Sequence, residues 1–331
     1  MRLHILAVGQ ADAIVVELPS GRLAVIDFGH EYLLEYLAAL DPTRTRRFAF
    51  CLLTHAHHDH YACLKQFILR HDAQVDEYWY SFTETSNVPT LLALKAAAAE
   101  RKRGRLLVQD LPAAQPYVLE PQVEITCFAP TTWDVERAPG VGGATAENNR
   151  SVVLLLRYGQ ASILLGADAE AERWIKVEGQ ARAAPVSLAA DVIKPSHHGA
   201  LPPRGLPERL WPLLLRSPNT FVTFSVGRKR DKPALDTIVS VRGRAHIRCT
   251  GRALTCRRLP SITSPAPYLP ANDLFAQALA PAPETRPVQS CFGTQIYDLD
   301  PNGTLTLVTA QQPAFLDACV VPSNEKAWAS S

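Results

Sequence analysis

The segment Thr54-His55-Ala56-His57-His58-Asp59-His60 carries four of the chain's ten histidines and an aspartate. Imidazole supplies a neutral nitrogen donor near pH 7, and a carboxylate adds an oxygen donor. This mixture suits Zn²⁺ and is compatible with Mn²⁺ or Fe. Solubility does not call for so many imidazoles in so short a stretch; metal binding does. His55 and His57 are one residue apart, so at a strand end they point to the same side and can grip one ion. Asp59 and His60 turn back from the loop to grip a second, and His58 fills the gap between them as a spacer. Cys63 is read as part of the following helix and left out of the site.

A dinuclear site needs donors from distant segments. Asp168 follows the apolar run Ser162–Ala167, where a carboxylate can bridge two ions; its bland reading is a helix N-cap. His197 and His198 follow Asp191–Ser196, again at the end of a strand-like run, and the sequence leaves open which of the two is the ligand. Donors at three strand ends make one shared site the economical reading.

The elements that must position these residues follow from periodicity. Leu3–Val8, Asp12–Leu18 and Arg22–Asp27 are short apolar strands with a Pro-Ser-Gly turn at 19–21, predicting a β-meander. Helical spacing covers 32–41, and a buried-type strand at 48–53 ends at the histidine cluster. Helices are predicted at 61–71, 88–103, 168–178 and 206–216, and strands at 75–80, 105–109, 123–128, 151–158, 161–166, 191–194 and 220–226. Gly159-Gln160 is a tight hairpin turn. Residues 261–289 are rich in Pro, Ala and Ser and read as a loop, and a hairpin of Thr294–Leu299 with Thr304–Val308 closes the chain. Mixed strands and helices predict an α/β fold with sheets sandwiched between helices.

The chain has 331 residues and 47% hydrophobic content, enough for one large domain or two modest ones. No apolar run is long enough to span a membrane, and the first ten residues lack the apolar core of a signal peptide, so a cytoplasmic location with no membrane partner is expected. Seven scattered cysteines, none spaced as CxxC, suggest buried free thiols. Net charge is only +2, but Gly227–Pro260 holds ten Lys or Arg against Asp231 and Asp236, a local excess of +8. Such a strip attracts anions, with Arg242, Arg244 and Arg248 as candidate nucleic-acid contacts. The competing reading is a solvated edge strand guarded by charge.

The order Asp27, HAHHDH, Asp168, His197-His198 resembles the metallo-β-lactamase fold superfamily. More narrowly, VGQADAIVVELPSGRLAVIDFG, LTHAHHDH, ENNRSVVLLLRYGQASILLGAD, DVIKPSHHGA and TFSVG are similar to the hydrolase domain of competence DNA-uptake channel proteins and its stand-alone relatives, over about residues 1–255. The resemblance implies an αββα sandwich; residues 256–331 lie beyond it and are expected to be an additional segment packed on the same domain, with a lid or a docking surface as the alternatives. It implies two divalent ions, Zn or Mn, and a metal-bound hydroxide that attacks a phosphorus or carbonyl centre. His55, His57 and Asp168 would serve one ion; Asp59, His60, Asp168 and one of His197 or His198 the other. Asp27 would lie beneath them, with Asn148 and Asn149 in support.

Residues 72–196 contain no histidine, so the superfamily's usual third-motif histidine is missing. The competence-type group shares this absence, and Asn148-Asn149-Arg150-Ser151 occupies that part of the chain. Ala11 and Ala167 stand where the group has glycines, Tyr61-Ala62-Cys63 stands where it has a residue and two glycines, and Lys232-Pro233 replaces its histidine-proline. None of these is a proposed ligand.

The resulting expectation is a dinuclear metal-dependent phosphodiesterase or nuclease acting on single-stranded DNA or other nucleic acid. Asp59, His198 and Lys194 are the candidate catalytic groups, the last two for steadying developing charge. A hydrolase of a small phosphodiester, such as a cyclic nucleotide or phosphorylated head group, is the alternative. A catalytically silent regulatory subunit is the reading from a different class, and a regulatory protein partner is a further expectation.

Overall fold

Strands made of uninterrupted Val, Ile and Leu must be covered on both faces, and this requirement sets the architecture. The computed structural model describes residues 1–81, 88–100, 104–106, 116–131, 147–183, 186–200, 206–226, 232–241, 243–250 and 293–308. Its strands are β1 (Arg2–Ile5), β2 (Ile14–Glu17), β3 (Leu23–Ile26), β4 (Phe48–Leu53), β5 (Tyr78–Tyr80), β6 (Gly104–Leu106), β7 (Tyr117–Glu120), β8 (Val123–Ala129), β9 (Val153–Tyr158), β10 (Ala161–Leu165), β11 (Val192–Lys194), β12 (Phe221–Phe224), β13 (His246–Cys249), β14 (Gln295–Leu299) and β15 (Leu305–Val308). The helices are α1 (Tyr32–Leu40), α2 (His58–Tyr61), α3 (Leu64–His71), α4 (Pro89–Glu100), α5 (Ala171–Ala183), α6 (Leu206–Leu214) and α7 (Leu235–Val241).

One sheet runs β15-β14-β1-β2-β3-β4-β5-β6 and the other β13-β12-β11-β10-β9-β8-β7. Each has an antiparallel half and a parallel half, the parallel strands being β3 to β6 and β10 to β13. The layer between the sheets is filled by Ile5, Val16, Leu52, Leu154, Ile163 and Val192. On the outside, Leu33, Phe67 and Leu94 of the helices cover Val25, Cys51 and Leu53, while Trp174, Val177 and Leu210 cover Leu155, Leu164 and Ile193. Alternate residues of β4 thus face different layers, as the two-residue period of a strand demands. The architecture is an αββα sandwich.

The helix predicted over 61–71 divides. The Cys63 N–H donates to the Phe28 carbonyl at 2.8 Å instead of continuing a helical ladder, so α3 starts at Leu64 and α2 is a separate turn. Likewise α5 starts at Ala171, three residues later than predicted, which leaves Asp168 in the loop. The structure adds β7 and α7, which are too short for periodicity to announce, and β13 is the charged edge strand of the competing reading of the basic strip.

The closing hairpin extends the first sheet: β14 runs antiparallel to β1, with Tyr297 opposite Leu3. Tyr297 is fully buried, and its hydroxyl lies 2.6 Å from Thr223 Oγ1 on β12 of the other sheet. The Pro/Ala-rich stretch at 261–289 lies outside the described residues. Cys51, Cys63, Cys127 and Cys249 form no disulfide bond, and no described helix is long and apolar enough to cross a membrane.

Candidate metal centre

The loops after β3, β4, β10 and β11 meet at one end of the sandwich. Asp27 follows β3, the histidine cluster follows β4, Asp168 follows β10 and His197-His198 follow β11. The β1–β2 connection joins them, because β2 is antiparallel to β3 and so begins where β3 ends. Asp27, Ala167, His197 and His198 all have positive φ, at 62°, 43°, 49° and 55°. Left-handed backbone costs a non-glycine residue about 1–2 kcal/mol, and such strain collects where side-chain direction matters.

His60 is fully buried, with Nδ1 2.7 Å from Asp27 Oδ2 and Nε2 3.5 Å from Asp168 Oδ1. Asp27 also accepts from the Thr54 N–H at 2.9 Å and the Thr54 hydroxyl at 2.8 Å. His198 repeats the arrangement: Nδ1 lies 3.6 Å from Asp12 Oδ1, and Nε2 lies 3.6 Å from Asp168 Oδ1 and 3.9 Å from Asp59 Oδ2. Each imidazole therefore has one carboxylate behind it and Asp168 ahead. His55 Nδ1 faces the Thr54 hydroxyl at 3.2 Å, and its Nε2 is 3.0 Å from His57 Nδ1.

This geometry fits a cation. His60 Nε2, His198 Nε2 and Asp168 Oδ1 are buried without a hydrogen-bond partner, although unpaired buried polar atoms cost about 1–3 kcal/mol each. One potential ligand atom from each of Asp12, His60, Asp168 and His198 falls within 4.8 Å of all the others. His55 Nε2 and His57 Nδ1 are hydrogen-bonded to each other and lie outside that group of four. A carboxylate behind a ligating imidazole is the usual support for such a ligand.

The electrostatics agree. Burial opposes charge on His60, yet Asp27 and Asp168 raise its pKa well above the ordinary imidazole value. Burial also pushes Asp168 upward, but His198 and His60 hold it well below the usual carboxylate range. Burial lowers His55 far below its ordinary value, and it brings His198 down to about 4 against the pull of Asp12 and Asp168. His55 and His198 are therefore neutral beside an ionised Asp168, as metal ligation requires, whereas His60 holds a proton between Asp27 and Asp168 that an incoming cation would have to displace.

Of the histidine pair, His198 is buried and faces the centre. His197 is 23% exposed, with Nε2 3.8 Å from Asp168 Oδ2 and Nδ1 2.9 Å from Glu170 Oε1. Asp59 lies at the rim with a side chain 36% exposed, and His58 is exposed beside Tyr61. Asn148 donates to Glu170 at 2.8 Å. The Asn149 carbonyl accepts from Arg173 at 2.7 Å, and Ser151 Oγ accepts from the Asp168 N–H at 3.2 Å.

Lys194 sits differently from a charge-steadying group. It is 1% exposed, and its Nζ donates to Asp12 Oδ2 at 2.8 Å, which removes it from contact with a substrate. Lys194 and His198 together hold Asp12 ionised against its burial. Asp12 and Glu170 escaped sequence reasoning, since a lone acid beside a strand has no diagnostic spacing. The one available signal for Asp12 was a charge interrupting an apolar run.

Arg244 is exposed in the turn before β13, an edge strand, and Arg248 on β13 lies 5.9 Å from the Phe221 ring centroid. Arg242 lies outside the described residues; of the strip's ten cations, only Lys232, Arg244 and Arg248 fall within them.

No family model and no curated protein matches the chain. Solved structures are similar to it at low identity. The metallo-β-lactamase fold protein YhfI from Bacillus subtilis has a TM-score of 0.42 and 12% identity, covering 75% of this chain and 96% of that one. Human tRNase Z, short form, has a TM-score of 0.35 and 14% identity, over 65% and 84%. Zn²⁺-bound PqqB from Methylobacterium extorquens has a TM-score of 0.33 and 15% identity, over 55% and 58%.

Proposed function

We propose that the chain is a metal-dependent hydrolase of the metallo-β-lactamase fold superfamily that cleaves phosphodiesters, with single-stranded nucleic acid as its substrate class. The observation that carries this reading is the set of buried, unpartnered donor atoms on His60, His198 and Asp168, backed by Asp27 and Asp12. His55, His57 and Asp168 would hold one divalent ion, and Asp59, His60, Asp168 and His198 would hold a second. Bound there, such ions supply Lewis acidity, which makes water a nucleophile near neutral pH and stabilises charge on phosphoryl oxygens.

The chain's own residues do the rest. Asp27 fixes the ring plane of His60 by a hydrogen bond to its Nδ1, Asp12 lies 3.6 Å behind His198 Nδ1, and Thr54 steadies both Asp27 and His55. His197 stands on the open side of the centre with Glu170 and Asn148 behind it, where it steadies charge developing on the substrate. The cations Arg244 and Arg248, the basic strip around them and the competence-like segments favour a polyanionic substrate.

Metal content measured alongside a substrate panel tests the reading. Two divalent ions per chain and cleavage of circular single-stranded DNA are expected. An intact circle with turnover of bis(p-nitrophenyl) phosphate or a cyclic nucleotide reassigns the enzyme to small phosphodiesters. Less than one ion per chain, together with a His57→Ala protein that behaves as wild type, rejects catalysis and favours a regulatory subunit. Changing Arg244 and Arg248 to Ala should flatten the salt dependence of single-strand binding by about 0.7 per lost phosphate contact; an unaltered slope removes those residues from the interface.

A further inference from the structure

Beside the centre lies an open-mouthed pocket, with about 50 Å³ of room for the centres of water-sized molecules and about 600 Å³ of empty space once its mouth to solvent is counted. His197 and Glu170 line both the pocket and the approach to Asp168, so the two spaces share a wall. Trp174 of α5 and Leu210, Trp211 and Leu214 of α6 form its apolar walls, and the loop after β11 supplies much of the remainder. Both indoles are fixed in place. Trp174 Nε1 donates to Ser196 Oγ at 2.8 Å, and that hydroxyl donates to the Gly166 carbonyl at 2.7 Å. Trp211 Nε1 donates to Ser240 Oγ at 2.8 Å, which in turn donates to the Thr237 carbonyl at 2.8 Å. A cavity with rigid aromatic walls is preorganised for a flat ring.

Thr237 also lines this pocket. It is 3% exposed, and its Oγ1 has no hydrogen-bond partner. A buried hydroxyl left unpaired costs about 1–3 kcal/mol, so the group calls for a polar atom from whatever enters. An aliphatic chain would fill the apolar volume and leave Oγ1 unsatisfied. A sugar would bring several hydroxyls against leucine and indole surfaces that offer them nothing. A heteroaromatic ring meets both conditions, stacking on indole while presenting a hydrogen-bonding edge.

We infer that this pocket receives a nucleobase of the substrate while the adjoining phosphodiester lies at the metal centre. The inference rests on the hydrolase reading and narrows it: a base paired and stacked in a duplex cannot enter, so the substrate is a single strand or a free nucleotide.

Deoxyribose 5-phosphate and a deoxynucleoside 5′-monophosphate differ only by the base, so calorimetric titration of the full chain with each isolates the pocket. At least one of the four nucleotides should bind tenfold or more tightly than the sugar phosphate. Ala200 lines the pocket with an extended backbone, φ −59° and ψ 148°, that phenylalanine also adopts. Ala200→Phe should therefore fill the space and abolish the margin, and Thr237→Val should cut it by about threefold to tenfold. Melting curves verify that both variants are folded. Equal binding of all five compounds by wild type overturns the inference, as does a margin that survives in both variants. Turnover of bis(p-nitrophenyl) phosphate reports separately on the hydrolase reading: an inactive protein that keeps the margin loses only that reading, and an active protein without the margin loses only the pocket.

Discussion

In the proposed metal centre, His60 and His198 each have a carboxylate on the side away from Asp168. Asp27 approaches His60 Nδ1 to 2.7 Å and Asp12 lies 3.6 Å from His198 Nδ1, which leaves each Nε2 aimed at Asp168. Losing such a support generally weakens metal affinity by about 10–100-fold. Asp27→Asn should do so here, read by competition with a chelator; an unchanged affinity would exclude Asp27 from that role. The Asp12–Lys194 pair predicts a stability effect instead. Both partners are almost fully buried, so Lys194→Met leaves an uncompensated charge and should cost about 3–5 kcal/mol in urea unfolding. Adding Asp12→Asn to that variant should recover part of the loss, and no recovery would mean that Lys194 acts through packing of its stem alone.

At the scale of the elements, the start of the first sheet is locked by Glu17. This side chain accepts from His4 Nε2 at 2.9 Å and from Arg46 Nη1 at 2.6 Å, tying β2 to β1 and to the turn before β4. Burial raises its pKa, but those hydrogen bonds outweigh burial and bring it from the ordinary 4.5 down to about 2. A carboxylate with a depressed folded pKa stabilises fully above its unfolded value and loses that contribution as pH falls toward the folded one. Glu17→Gln should thus cost about 1–3 kcal/mol near neutrality, with the gap to wild type closing as pH falls from 4.5 toward 2. A pH-independent gap in urea midpoints would assign the cost to packing.

Across the whole molecule, Tyr297 shows that the closing hairpin belongs to the sandwich. Its ring lies 5.3 Å from Phe221, and its hydroxyl reaches Thr223, both on β12 of the opposite sheet. Tyr297→Ala should destabilise the chain by about 3–5 kcal/mol and Tyr297→Phe by about 1 kcal/mol. Effects below 1 kcal/mol for both would make the hairpin an appendage. Because β14 also covers the edge of β1, the alanine variant should aggregate more readily on heating.

The sequence by itself determined the donor types, the apolar strands that end beside them and the alternation of strands with helices. Histidines one residue apart and uninterrupted apolar runs are local patterns, and burial on both faces follows from them. Only the tertiary structure decided that His198 rather than His197 faces the centre, because positive-φ backbone at both residues sends neighbouring side chains in different directions. It also joined Asp12 to Lys194 across 182 residues and drew Lys194 away from solvent, and it enclosed the indoles around Thr237. Those outcomes depend on how the two sheets pack and where their loops meet, which no spacing within one segment encodes.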